Sequence, residues 1–534
     1  MTTSSFLSMR PLRYAMLSLS MLAFAPAAEA APQRLKPREL VAKPTGRELA
    51  PNTYVERIVV KFHEGSHVRL RDHKLVALTS ERDAAEQSLL AGRNLDSARV
   101  QNDAAQVESL LERAPRTGGV ARLFDMPEAT LTTNKASGEK RSGQQLADLN
   151  LYFEVPLMPG TTAERVADLV AALNALDGVE VAYAEPPPEP AMVNFAMEPA
   201  VRSLLAAADI PPTTPLYESN QGYLNAAPNG VDARYGWSMR GGTGGGVKVV
   251  DVEGGWRTTH EDMPELFFKN GTQYADLGWR NHGTAVLGEI VGAGNAYGVT
   301  GIAYGAQAGY ASIGSQSSAS AIANAATAVG QGGIVLIELH AQGPSDGTAC
   351  TCNTSQCNYI AMEYWQANYD AIKTATANGV IVVEAAGNGS ADLDAAAYGG
   401  RFNRNTRDSE AIFVGGSTAT TRAPMCWTNF GGRVDVHGWG ERVYSMGYGN
   451  VWGSYGEDQF YTSSFSGTSS ASPIVVGAAA VAQGVAKARG GLLTSKQMRT
   501  VLRETGTPQA ADARQIGPLP DLRRALPRVV AGDY

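Results

Sequence analysis

From Gly246 onward, short apolar runs alternate with stretches patterned as helices, and that alternation leaves few folds open to this chain. Val247 to Val252, Gly305 to Ile313, Ile334 to Leu339, Val380 to Ala385 and Ala411 to Gly415 read as buried strands. Helical stretches lie between them, among them Ser318 to Val329 and Met362 to Asn378. Strands that are apolar on both faces and separated by helices build a mostly parallel sheet with helices on both sides. The expected fold class is therefore α/β, doubly wound, with any ligand at the carboxyl ends of the strands.

One segment within this region carries chemistry. Ser466-Gly467-Thr468-Ser469-Ser470-Ala471-Ser472-Pro473 runs straight into the small apolar residues Ile474 to Ala482. It reads as a serine presented at the start of a buried helix, with Pro473 in the first turn, where a missing N–H costs nothing. Unpaired N–H groups and the positive end of the helix dipole favour negative charge at such a place. Two further segments complete a set. Asn281-His282-Gly283-Thr284 opens a helical run, Ala285 to Val291, and Val382-Val383-Glu384-Ala385-Ala386-Gly387-Asn388-Gly389 reads as a strand ending on an asparagine. With Gly298-Val299-Thr300-Gly301-Ile302-Ala303, these motifs resemble, in order, those of the subtilisin-like serine proteases (subtilases) over roughly residues 215 to 525.

The resemblance implies a subtilisin-like sheet and roles for particular residues. Ser469 would be the nucleophile and His282 its general base, imidazole being the group that titrates near neutrality. Asn388 and the Ser469 backbone N–H would hold the oxyanion. The third member departs from the family, which has an aspartate seven residues before the histidine of a His-x-Asp segment. Here that segment is His260-Glu261-Asp262, and counting back gives Glu253, followed by Gly254 and Gly255. Asp251, two residues earlier on the same strand face, is the alternative orienting carboxylate. The extra methylene of glutamate, about 1.5 Å, requires the backbone to stand further back. The family's Ser-Leu-Gly-Gly strand, which lines the specificity cleft, corresponds here to Glu338-Leu339-His340-Ala341, the expected substrate-binding residues. Glu338 and Glu384 end neighbouring strands, and either they shape the pocket for a basic or hydrogen-bonding side chain or they are a structural carboxyl pair. No cofactor is expected. Asp392 and Asp394 form a candidate calcium pair by the same resemblance, although two loop carboxylates read equally as solvated side chains.

The rest of the 534-residue chain reads as apparatus for making and exporting this unit. Arg10 and Arg13 precede an apolar run from Ala15 to Ala25, and Ala28-Glu29-Ala30 offers a cleavage site, so residues 1–30 read as a signal peptide. Residues 31–190 read as a small α+β domain: strands at Ile58 to Phe62 and Leu149 to Val155, helix over 80–113, and a polar loop over 115–147. A capping box at Thr161-Thr162-Ala163-Glu164 starts a helix through Val166, Leu169, Val170, Leu173 and Leu176, and Val179 to Tyr183 is a closing strand. This pattern is similar to the ferredoxin-like propeptides of subtilases, which implies an intramolecular inhibitor. Pro186-Pro187-Pro188 and Pro190 end that domain, and 191–214 is an exposed connector suited to maturation cleavage, leading into a peptidase domain at 215–534.

Composition excludes some partners. A net charge of −7 gives no basic surface for nucleic acid, and no transmembrane run remains once the signal is removed. Cys350, Cys352, Cys357 and Cys426 fit an oxidising compartment, secreted or periplasmic. Cys350 and Cys352 are too close for an easy bridge, so one pairs with Cys357 and the other with Cys426. A zinc site lacks a fourth ligand of usual spacing. The expected partners are polypeptide substrates and the chain's own propeptide. The rivals are a peptide-binding pseudoprotease with an inert cleft, motivated by Glu253, and an esterase using the same residues.

Overall fold

A computed structural model of the chain describes residues 1–2, 35–44, 48–193 and 209–534. The expected signal peptide and most of the connector lie outside the described residues. The N-terminal unit contains β1 (Arg57–Phe62), β2 (Val68–Arg71), β3 (Lys74–Ala77), β4 (Ala121–Arg122), β5 (Tyr152–Pro156) and β6 (Val179–Glu185). Its main sheet has the order β4-β5-β1-β6 and is antiparallel throughout. One face, including Ile58, Val60, Phe153 and Val155, packs on the unit's own helices. The other face, including Val59, Tyr152, Val181 and Tyr183, shares a core with the C-terminal unit. Period-two alternation along each strand produces this division.

Three local expectations change in this unit. The helical stretch 80–113 is two helices, Ala84–Ala91 and Ser97–Leu111, each N-capped by an aspartate, Asp83 and Asp96. The stretch 115–147, read as a loop, contains β4 and a 15-residue helix, Glu128–Ser142. That helix buries only Leu131 and Gly138, so it carries no apolar period to read. It is held by Glu128 and by Lys140 and Arg141 at the matching ends of its dipole, by Gly143 in the left-handed conformation, and by packing on its neighbour. The Thr161 capping box does not form as expected. The helix Ala163–Asn174 begins at Thr162, whose side chain makes no capping bond, and the Thr161 hydroxyl donates to the Met158 carbonyl at 2.7 Å.

Beyond β7 (Glu189–Pro190) comes the C-terminal unit, with β8 (Lys248–Glu253), β9 (Phe268–Asn270), β10 (Gln307–Ser312), β11 (Ile334–Ile337), β12 (Leu339–Gln342), β13 (Tyr359–Ala361), β14 (Ile381–Ala385), β15 (Ile412–Ser417), β16 (Val436–Trp439), β17 (Val443–Met446) and β18 (Tyr461–Phe465). Seven of these form one parallel sheet in the order β16-β15-β14-β11-β8-β10-β9, as the alternation requires. The strand order reverses around β8, so the carboxyl ends of β8 and β11 flank the switch point where such sheets bind ligands. One face carries the helices Leu277–Val291 and Thr468–Lys487, and the other carries Ser318–Val329, Gln366–Ala377 and the N-terminal unit. Thr468–Lys487 is long and apolar enough to cross a membrane, but it is wholly buried as the central helix of this core.

Candidate active site

Strand parity decides which carboxylates reach the switch point. Val249 and Leu336 belong to the face bearing the helices Leu277–Val291 and Thr468–Lys487, so Asp251, Glu253 and Glu338, at even spacing from them, are directed to the same face. Glu384 pairs in register with Ile337 and is directed to the opposite face. There its carboxyl accepts from the Glu363 N–H at 2.8 Å, beside the buried Arg433–Glu363 pair. The pairing of Glu338 and Glu384 in one pocket, one of the two sequence expectations, is therefore corrected.

His282 stands in the second turn of Leu277–Val291, not at its start, because Asp276 caps the helix five residues earlier than the motif suggests. Its Nδ1 shares a hydrogen bond with Glu253 Oε2. Asp251 instead accepts from the Trp256 indole N–H at 2.8 Å. The neighbours of His282 explain the motif. A Cβ on Gly283 would collide with Glu253 Oε1, the Gly255 carbonyl and Trp256. The Thr284 hydroxyl accepts from the Arg257 N–H at 2.7 Å and donates to the Arg280 carbonyl at 2.6 Å, pinning the loop after β8 to the helix. His282 Nε2 makes no hydrogen bond among the described residues, and the ring lies edge-on to Phe465 at 5.5 Å.

Ser469 is the second residue of Thr468–Lys487, so its N–H is one of the donors left open at a helix start. Pro473 is the sixth residue, past the first turn expected of it. The Asn388 Oδ1 accepts from the Thr468 N–H and hydroxyl, both at 2.9 Å, which holds the amide beside the Ser469 N–H. Asn388 is also tied to the cystine loop. Its Nδ2 donates to Gln356 Oε1 and its carbonyl accepts from Asn353 Nδ2, both at 3.4 Å. The disulfides are Cys350–Cys357 and Cys352–Cys426, one of the two pairings left open by the sequence.

Electrostatically the site is a pool of buried carboxyls. Burial pushes Glu253 well above the usual carboxylate range, against a downward pull from the Gly255 N–H. Burial and then the charge of Glu253 push Asp251 up, against the Trp256 hydrogen bond. Glu338 is raised by burial and by Asp251, Glu253 and Glu289, and the nearby Ser469 hydroxyl draws it partly back. Burial pushes the His282 imidazole down to about 3, against an upward pull from Asp251. Burial therefore works against the charged forms of both His282 and Glu253.

The strand expected to line the cleft is paired on both sides. Leu339 and His340 of β12 pair antiparallel with Pro190 and Glu189 of β7, and Ala341 faces Ile360 on the other side. Half-buried β7 thus ends the expected N-terminal domain as a sheet edge on β12, and the connector expected to be exposed starts buried, Ala191 being fully enclosed. His340 Nδ1 accepts from the Asn388 N–H at 3.3 Å, and its ring packs on Tyr359 at 4.7 Å. Two contact residues escaped the sequence reading. Ser466 lies in the octet and could have been suspected, whereas Tyr448 sits in a loop with no motif.

The two carboxylates of the candidate calcium pair are both engaged by backbone N–H groups. Asp394 Oδ2 accepts from the Gly432 N–H at 2.7 Å, and Asp392 Oδ1 accepts from the Asp394 N–H at 3.0 Å. Among the described residues no three His, Cys, Asp or Glu side chains are grouped to hold an ion.

Residues 242–517 match the model of the subtilase family, just over half of the chain. No curated protein sequence matches. Among solved structures, fervidolysin from Fervidobacterium pennivorans, described as a keratinolytic enzyme related to subtilisin, superposes with a TM-score of 0.52 at 15% identity, over 92% of this chain and 64% of its own. A protease of Pseudoalteromonas arctica aligns at 19% identity and a TM-score of 0.43, over 59% of this chain and 99% of its own. The family model, laid over the switch-point site, identifies the chain as a member of the subtilase family of serine peptidases.

Proposed function

We propose that the protein is an exported serine endopeptidase made as a self-processing zymogen, with residues 1–30 as signal, 31–190 as propeptide, 191–214 as connector and 215–534 as peptidase domain. The observation that carries this reading is the meeting, at one buried point, of the Glu253–His282 hydrogen bond, the Ser469 N-terminal helix position and a strand of the chain's own polypeptide lying in the cleft. Ser469 Oγ attacks a peptide carbonyl while His282 Nε2 takes its proton, and Glu253 orients the ring and stabilises the imidazolium. The Ser469 N–H and Asn388 hold the oxyanion. His282 then protonates the leaving amine, and water releases the acyl group by the reverse path. The two disulfides support export.

A fluorophosphonate probe and a casein digest test the reading. Wild-type protein is expected to be labelled at Ser469 and to cut casein, and Ser469→Ala to do neither. Unlabelled wild type would instead indicate an inert peptide-binding cleft, and labelling with ester but no peptide hydrolysis would indicate an esterase.

A further inference from the structure

We infer that the bond this molecule cuts in itself is Ala191–Met192, and that its cleft selects a small apolar residue on the acyl side of the cut. The inference rests on the peptidase reading and adds to it the position and the substrate class.

The polypeptide is held on both sides of this one bond. Upstream, Glu189 and Pro190 pair with His340 and Leu339, and Tyr359 donates its hydroxyl proton to Glu189 Oε1 at 2.9 Å. At the bond, the Ala191 carbonyl accepts from the Ser469 N–H at 3.0 Å. Downstream, the Val193 carbonyl accepts from the Ser466 hydroxyl at 2.9 Å, and the Tyr448 hydroxyl meets the Met192 sulfur at 2.7 Å. Gly467 lets the chain pass. It sits at φ +107°, and a Cβ there would collide with the Ala191 carbonyl oxygen and stand 2.8 Å from Met192 Cα. The adjacent Pro190 carbonyl is turned elsewhere, accepting from the Met192 N–H at 2.7 Å. Among the described residues, only the Ala191 carbonyl lies on the donor that would stabilise a tetrahedral oxyanion.

The step balances without any other reactant than water. The Ser469 Oγ–Ala191 carbon bond forms as the carbon–nitrogen bond to Met192 breaks. The serine proton passes through His282 Nε2 to the Met192 nitrogen, which leaves as a free amine. Water then hydrolyses the ester, giving an Ala191 carboxylate and restoring Ser469.

The preference for a small residue follows from a second observation. The resemblance places a glycine where this chain has His340. The His340 side chain bridges β12 and the Asn388 loop, the two walls between which the residue before the cut must enter. It occupies space that glycine would leave open, and Ala191, with only a methyl, is fully buried.

The test is the mass of the fragments that the full-length chain yields over time, with Ser469→Ala as control. The expected upstream fragment ends at Ala191, a terminus that later trimming of the enzyme's own new end does not alter. Quenched peptides covering residues 187–195 are then compared with Ala, Phe or Arg at the Ala191 position. The Ala peptide is expected to have at least a tenfold higher kcat/KM. A Ser469-dependent fragment ending elsewhere overturns the assigned bond, and Phe or Arg peptides cut as well as Ala overturn the assigned selectivity, while the peptidase reading stands in both cases. Peptide cleavage without any self-cleavage also overturns the assigned bond. Absence of all cleavage together with absence of fluorophosphonate labelling overturns the peptidase reading, and this inference with it.

Discussion

Two buried carboxyl clusters, one in each unit, handle charge in opposite ways. In the N-terminal unit, Lys61 is fully buried and lies 2.8 Å from Glu64 and 3.1 Å from Glu180, with Arg38 bridging the same two carboxylates. Burial pushes Glu64 and Glu180 up, but Lys61 and Arg38 outweigh it and hold both below the usual range. In the C-terminal unit, Asp251, Glu253, Glu289 and Glu338 are equally buried, and among the described residues none has a lysine or arginine partner. Burial therefore raises all four. The first arrangement is a closed set of charges that serves the fold. The second leaves each carboxyl without a countercharge, an arrangement found at reactive sites more than in closed ion clusters.

The comparison can be broken most severely at the reacting end. Ser469→Ala is expected to lower kcat on the order of 10^6-fold with unchanged thermal unfolding. Next, Glu253→Gln is expected to lose kcat on the order of 10^4-fold, since the amide stabilises the wrong imidazole tautomer. Asp251→Asn, bonded to Trp256 and not to His282, is expected to lose far less. Steady-state kinetics on one peptide settle both, and equal losses would merge the two carboxylates into one function. At the level of stability, Lys61→Met in the Ser469→Ala background strands Glu64 and Glu180 and is expected to cost about 3–5 kcal/mol in urea unfolding. Glu289→Gln replaces a carboxyl whose charged form burial already disfavours and is expected to change stability much less. If the two cost the same, the distinction between closed and open charge sets fails.

The smallest effect concerns the seam between the units. Glu185 faces Asn368 across it, with Arg57, Glu56 and Glu154 nearby, and burial chiefly raises it to about 8, against Arg57. Docked, the carboxyl keeps a proton that the released unit gives up above the ordinary carboxylate range. Docking is therefore strongest at low pH and weakens as pH rises toward 8, by at most about 1.4 kcal/mol per pH unit. Co-elution of the cut N-terminal unit with the peptidase across pH 5–9 measures this, and Glu185→Gln is expected to flatten the dependence.

Much of the site was legible because its chemistry fixes residue types over short spans. The serine octet, His282-Gly283-Thr284 and the strand ending in Asn388 each carry their reason locally: an open helix start, a collision at Gly283, a hydroxyl bridging a loop and a helix. The sheet was legible because its strands are apolar on both faces. What stayed hidden depends on contacts distant in sequence. The helix Glu128–Ser142 has little apolar period because it leans on the helix Gln366–Ala377. The direction of Glu384 follows from parity across neighbouring strands, which no single segment states. The start of the connector reads as exposed, and nothing in its own sequence shows that Ala191 is buried beside Ser469.

The N-terminal sheet, finally, is apolar on both faces, and only one of them is covered by its own helices. Once separated, Val59, Tyr152, Val181 and Tyr183 would meet water, and the detached unit would be a poor candidate for a long life as a free protein. On the proposed reading this makes activation a ratchet. The inhibitor is disposable, its departure is followed by its own loss, and the enzyme has no partner left to close it again.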